Sequence, residues 1–175
     1  MKKLVIIILA AVLAVTGGMF AYTYTTATAT ISVSAPASDF AATTAENQTG
    51  PTVFGKYTGT WSEGNLFTIT PAGGYNGDLV IRVYLTNAGA LNRYYEHLNM
   101  TMRFTSADNT SFADEQAIDQ VLSLQNSEVL FTWANGSGTS PFHVRLTGGS
   151  YRLHPWKTLT GGSVQPQVWC EIVQR

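Results

Sequence analysis

Three histidines, one cysteine and a loose acidic cluster are the residues of this 175-residue chain whose types suit acid–base, metal or thiol chemistry. His97, His143 and His154 are dispersed, and none has a second histidine at metal-ligand spacing. They read as surface or packing residues. Asp108, Asn109, Asp114, Glu115 and Asp119 gather hard oxygen donors over a short stretch, which makes Asp108, Asp114 and Asp119 weak calcium candidates. The glycine and regular spacing of an EF-hand are missing, and the plainer reading is that Asp114 and Glu115 favour a helix N-terminus. No cofactor is otherwise expected. Cys170 alternates with Val168 and Ile172, which suits a buried, inert thiol, with an intermolecular disulfide as the sharper alternative. The sequence has no Gly-x-Ser-x-Gly elbow, no His-Glu-x-x-His pair, no phosphate loop and no Gly-x-Gly-x-x-Gly fingerprint, so the expectation is a protein that is not an enzyme.

Binding chemistry has more material. Trp61, Tyr94, Tyr95, Trp133 and Trp156 are numerous enough for a glycan platform, although most aromatic side chains belong to cores and interfaces. Asn47, Asn99, Asn109 and Asn135 each stand two places before Thr or Ser and are candidate glycosylation sites if the host glycosylates. Removing Lys2 and Lys3 with a leader takes the ten basic residues to eight, against eleven acidic ones. A net negative domain is a poor partner for nucleic acid.

These residues must be positioned by strands. Charged residues are only 12% of the chain, while Gly, Thr and Ser punctuate Val, Ile, Tyr, Phe and Trp, the profile of strands joined by tight turns. Met1, Lys2 and Lys3 precede an apolar run from Leu4 to Phe20 and then Ala21, the grammar of a signal peptide over residues 1–21. An uncleaved run of this length sits at the lower limit for a membrane span, so membrane contact is expected only through the leader. Beyond it, Ala27, Ala29, Ile31, Val33 and Ala35 alternate with Thr28, Thr30, Ser32 and Ser34, a period of two that makes a strand with one apolar face. Small residues from Pro36 to Gly50 read as a flexible connector, so this strand is tethered to the body as a detached element within residues 22–50.

Residues 51–175 read as one β-sandwich domain. Eight strands are expected: Thr52 to Thr58, Gly59 to Thr70, Asp78 to Thr86, Leu98 to Thr105, Glu128 to Ala134, Pro141 to Thr147, Tyr151 to Lys157 and Val164 to Val173. Gly148 and Gly149 are read as a turn between two of them. Ser111 and Asp114 resemble a capping box, and Ala117, Ile118, Val121 and Leu122 fall on one helical face. A single helix of about three turns is expected there.

Gly17, Gly18, Met19, Phe20, Ala21 and Tyr22, read with the strand after them, resemble the leader end of the TasA and camelysin family of secreted biofilm fibre proteins. The body adds the turn from Pro71 to Gly77, a strand through Leu79, Ile81, Val83 and Leu85, then Asn87, Gly89 and Leu91 and a strand through Met100 and Met102, similar to that family's "strand, Asn-x-Gly-x-Leu, strand" passage. The chain departs from the family at Thr23 to Thr26, where Asp usually follows, and its low charge brings it closer to the archaeal bundling pilins. The resemblance implies a jelly roll whose N-terminal strand enters the sandwich of the next subunit. An unpaired sheet edge is a template for another chain, and a tethered alternating strand fits it.

The expectation is therefore an all-β protein, a jelly-roll-like antiparallel β-sandwich with one short helix, preceded by a signal peptide and a detached N-terminal strand. Its expected role is a secreted, extracellular or cell-surface filament or pilus subunit of a biofilm matrix, a homopolymer joined by donor-strand complementation through Ala27, Ala29, Ile31, Val33 and Ala35. Other matrix components or glycans are its further expected partners. The alternative is a secreted jelly-roll module that binds carbohydrate through its aromatic residues.

Overall fold

A computed structural model describes residues 28–34, 40–46, 48–52, 58–73, 75, 77–106, 119–134, 140–155, 157 and 164–174. It is an all-β protein with one short helix among the described residues, built as two sheets around a shared core.

The first sheet has the order β3 (Gln48–Thr52), β1 (Thr28–Ser34), β11 (Gln167–Gln174), β6 (Leu79–Leu85), β9 (Glu128–Trp133). The second runs β2 (Ala41–Ala45), β5 (Gly64–Pro71), β10 (Phe142–Leu153), β7 (Tyr95–Ser106), β8 (Gln120–Ser123), with β4 (Thr58–Thr60) paired to the far end of β10. Sequence alternation explains which face turns inward. In β6, Leu79, Ile81, Val83 and Leu85 are buried while Val80, Arg82 and Tyr84 are half-buried on the other side. Val168, Cys170 and Ile172 of β11 and Val129, Phe131 and Trp133 of β9 continue that inner face. Met100, Met102 and Phe104 of β7 and Phe142, Val144 and Leu146 of β10 face them from the second sheet. The sheets meet through rings: Phe104 stacks on Phe131 at 5.8 Å between centroids, and Trp133 lies tilted against Phe142 at 5.4 Å.

Several expectations are corrected. The N-terminal strand is not detached: β1 lies inside the first sheet of its own chain, parallel to β11 and antiparallel to β3. The supposed connector supplies β2 and β3, because an open edge of β5 and one of β1 offer backbone partners even to segments of weak apolar pattern, Ala-Ala-Thr-Thr-Ala in β2 and Gln-Thr-Gly-Pro-Thr in β3. Of the expected helix, residues 111–118 lie outside the described residues, and Val121 and Leu122 belong to β8. Val121 is 42% exposed and Leu122 fully buried, the alternation of a strand, and their pairing with Thr101 and Met100 of β7 makes it one. The one described helix is instead α1 (Ala88–Leu91), a single turn between β6 and β7.

Gly148 and Gly149 do not end a strand either. They lie within the twelve-residue β10, at φ +152° and +128°, where its register against β7 slips by one residue. A Cβ on Gly149 would collide with the Asn99 carbonyl oxygen and come within 2.9 Å of the Met100 Cα, so the bulge requires glycine.

Candidate functional site: the N-terminal strand and its seat

β1 holds the body through a short ladder. Ser32, Val33 and Ser34 pair with Gln167, Val168 and Trp169, the only parallel pairing among the described strands. By contrast, β11 is zipped to β6 over seven residue pairs. Two-residue periodicity turns Ile31 inward, where it is 1% exposed within the core, and Val33 packs partly buried beside it. β3 pairs with β1 alone in the sheet order, so β1 and β3 form a ribbon attached to the sandwich along β11.

The rail that receives β1 is held rigidly. The Ser32 N–H donates to the Pro166 carbonyl at 3.0 Å. On either side of that carbonyl, the Asn87 amide grips the backbone: its Nδ2 donates to the Gln165 carbonyl at 2.8 Å, and its Oδ1 accepts the Gln167 N–H at 3.1 Å. The Thr86 N–H donates to the Gln167 carbonyl at 2.9 Å, and the Tyr95 hydroxyl donates to the Val164 carbonyl at 3.0 Å. Burial raises the Tyr95 hydroxyl pKa, and Tyr151 beside it adds to the shift, so it remains a protonated donor. Residues 164–167 are thereby fixed from the body side, and the fixed carbonyl of Pro166 points to β1.

The turn singled out in sequence thus belongs to this seat. Asn87 clamps the start of β11, Leu91 is fully buried and anchors α1, and Gly89 is exposed with open space where a Cβ would stand. The sequence pattern marks these positions, but not that Asn87 reaches across to residues 165–167. Of the strand residues, Ile31 and Val33 turn toward the core, Ala29 lies in β1, and Ala27 and Ala35 fall outside the described residues.

The other candidates that lie among the described residues do not converge on this place. Asn99 stands inside β7, half-buried, with its Oδ1 accepting the Ser150 N–H at 2.7 Å; that sequon is in a strand rather than on a loop. Asn47, Asn109 and Asn135 fall outside the described residues, as do Asp108 and Asp114. Both carboxylate oxygens of Asp119 are engaged by Arg103 at 2.7 Å, Nε to Oδ1 and Nη2 to Oδ2. Among the described residues no three His, Cys, Asp or Glu side chains group as metal ligands would. The His143 Nδ1 lies 2.9 Å from the Thr68 hydroxyl, and the His154 Nε2 lies 3.2 Å from the Asn92 carbonyl. Cys170 is fully buried under the seat, and burial pushes its thiol up to about 12, with the Glu171 charge adding to the shift.

The described aromatic candidates do not form an exposed platform. Trp61 is 4% exposed with its indole N–H donated to the Asn99 carbonyl, Tyr95 and Trp133 are 1% exposed, and Trp156 falls outside the described residues. Tyr94 is half-buried with the Lys157 ammonium over its ring. The outward aromatic residues that sequence reasoning missed are Tyr84 and Trp169, which pair across β6 and β11. Their alternation with buried Val83, Leu85, Val168 and Cys170 is the signal that places them outside.

This site offers fixed backbone acceptors and an apolar position to a strand. No family model matches the chain, and no curated protein matches it. Among the described residues no helix is long and apolar enough to cross a membrane, and the leader lies outside them.

Proposed function

We propose that this protein is the structural subunit of an extracellular filament or pilus, a biofilm-matrix fibre, polymerised by donor-strand complementation on a jelly-roll sandwich. The observation that carries the reading is the attachment of β1, which combines a deeply buried Ile31 with a three-pair parallel ladder on a rigid rail. The β1–β3 ribbon meets the rest of its sheet through only those three pairs, and its departure exposes the β11 edge and an apolar slot that a replacement strand fills. The equivalent strand of a neighbouring copy supplies the same residues in the same register. In the isolated chain β1 fills its own seat; in the fibre each β1 fills the next one. Such a head-to-tail contact does not close on itself and propagates as a filament. The leader grammar supports export, which places the fibre outside the cell.

The test uses the mature chain, residues 22–175, concentrated and viewed by negative-stain electron microscopy. Filaments are expected from it, and none from a chain lacking residues 22–36. A synthetic 22–36 peptide should bind the truncated monomer. Filaments unaffected by the truncation would overturn the proposal.

A further inference from the structure

The outer face of the second sheet carries a groove of about 550 Å³ that takes no part in seating β1. Its floor is made by the outward positions of β7 and β10, Thr101, Arg103 and Thr105 beside Arg145 and Thr147. The bulge in β10 shapes it. Leu146 pairs with Met102 and Gly148 with Thr101, so Thr147 is the extra residue, and the bare Gly148 has open space where a side chain would otherwise stand.

Arg103 and Arg145 lie directly opposite each other across the two strands. Like charges so placed oppose sheet formation, so the pair needs carboxylates. Asp119 takes Arg103 through two bonds of 2.7 Å, a bidentate pairing with fixed geometry. Arg145 has one contact with Glu63, at 3.3 Å, and the Glu63 side chain is 63% exposed. An ion pair that long and that wet is readily exchanged for another carboxylate. Arg145 is thus the guanidinium with donors to offer.

Thr105 gives an independent sign of a ligand. It follows the inward Phe104, lines the groove, and is 1% exposed, yet its hydroxyl has no hydrogen-bond partner among the described residues. A buried hydroxyl without a partner carries a desolvation penalty that a bound polar group removes. The Thr147 hydroxyl donates to the Thr101 carbonyl at 3.3 Å, which leaves its lone pairs to accept from a ligand.

We infer that this groove binds an acidic saccharide, whose carboxylate displaces Glu63 from Arg145 and whose hydroxyls pair with Thr105, Thr147 and Thr101. The polar lining does not suit lipid or an apolar peptide. The arginines and their two carboxylates balance in charge, which suits one carboxylate per sugar rather than a dense polyanion.

Calorimetric titration of dispersed mature protein tests this without reference to filament assembly. Oligogalacturonate should bind, and a dextran oligomer or polyglutamate should bind at least about tenfold more weakly, since each lacks one half of the recognised chemistry. Arg145→Gln should lower oligogalacturonate affinity by about tenfold or more, and Thr105→Val by several-fold. Glu63→Gln, on an exposed loop, should raise it. Absence of oligogalacturonate binding, equal binding of dextran, or a Glu63→Gln chain that binds no better than the parent would overturn the inference.

Discussion

Replacing Ile31 by alanine tests the assembly strand at its most buried side chain. Ile31 is 1% exposed, so the substitution removes its methylene and methyl groups from a fully enclosed site and leaves a cavity. Such changes cost about 2–5 kcal/mol. A domain of this size has about 5–15 kcal/mol of stability, so the monomer should remain folded. A β1 peptide binding a chain that lacks residues 22–36 meets no competing β1, so the same loss falls wholly on that contact, where about 1.4 kcal/mol is tenfold in affinity, and the dissociation constant should rise by about 30-fold to several thousand-fold. The assay is calorimetric titration of synthetic 22–36 peptides, parental and Ile31→Ala, into the truncated monomer. Ser32→Ala is the control, because Ser32 is exposed on the other side of the same strand and its change is worth about 0.5 kcal/mol at most. An Ile31→Ala peptide that binds as tightly as the parental one, or a Ser32→Ala peptide that fails as badly, would refute the reasoning.

Two further predictions concern the body. Gly149→Ala forces a Cβ onto the backbone of Asn99 and Met100 at φ +128°, and should cost more than about 1 kcal/mol, lowering Tm by about 3 °C or more; Gly89→Ala, with open space around it, should not lower Tm. Equal melting of the two variants would defeat that account of the bulge. Burial raises both Tyr151 and Cys170 to about 12, above their ordinary values, so each remains protonated in the folded chain while the unfolded chain ionises first. Their contribution to stability is complete below the unfolded pKa values and is lost as pH rises through the folded ones, at about 1.4 kcal/mol per pH unit for each group in that window. Urea midpoints should therefore fall steadily above about pH 9, and the native thiol should resist disulfide exchange at pH 8; a flat profile or rapid labelling would contradict the burial argument.

The strands that sequence located best are those whose alternation is complete. Leu79, Ile81, Val83 and Leu85 announce β6, and Glu128 to Trp133 announce β9, because a half-buried strand must repeat every two residues. Where the pattern is weak or doubled, the sequence is silent. β2 is made of Ala and Thr and depends on the open edge of β5. Val121 and Leu122 suit a helical face as readily as a strand, and pairing of β8 with β7 decides between them.

The site divides in the same way. Sequence alone marks the apolar face of Thr28 to Ser34, the inward Cys170 and the Asn87 to Leu91 turn, since each is a local pattern of polarity or turn chemistry. Tertiary structure decides that β1 pairs in parallel with β11, that Asn87 grips residues 165–167, that Arg103 meets Arg145, and that Trp61 and Trp133 are core residues. Each of these joins residues far apart in the chain. Their register is set by packing and hydrogen bonding across strands, and the local sequence carries no record of it.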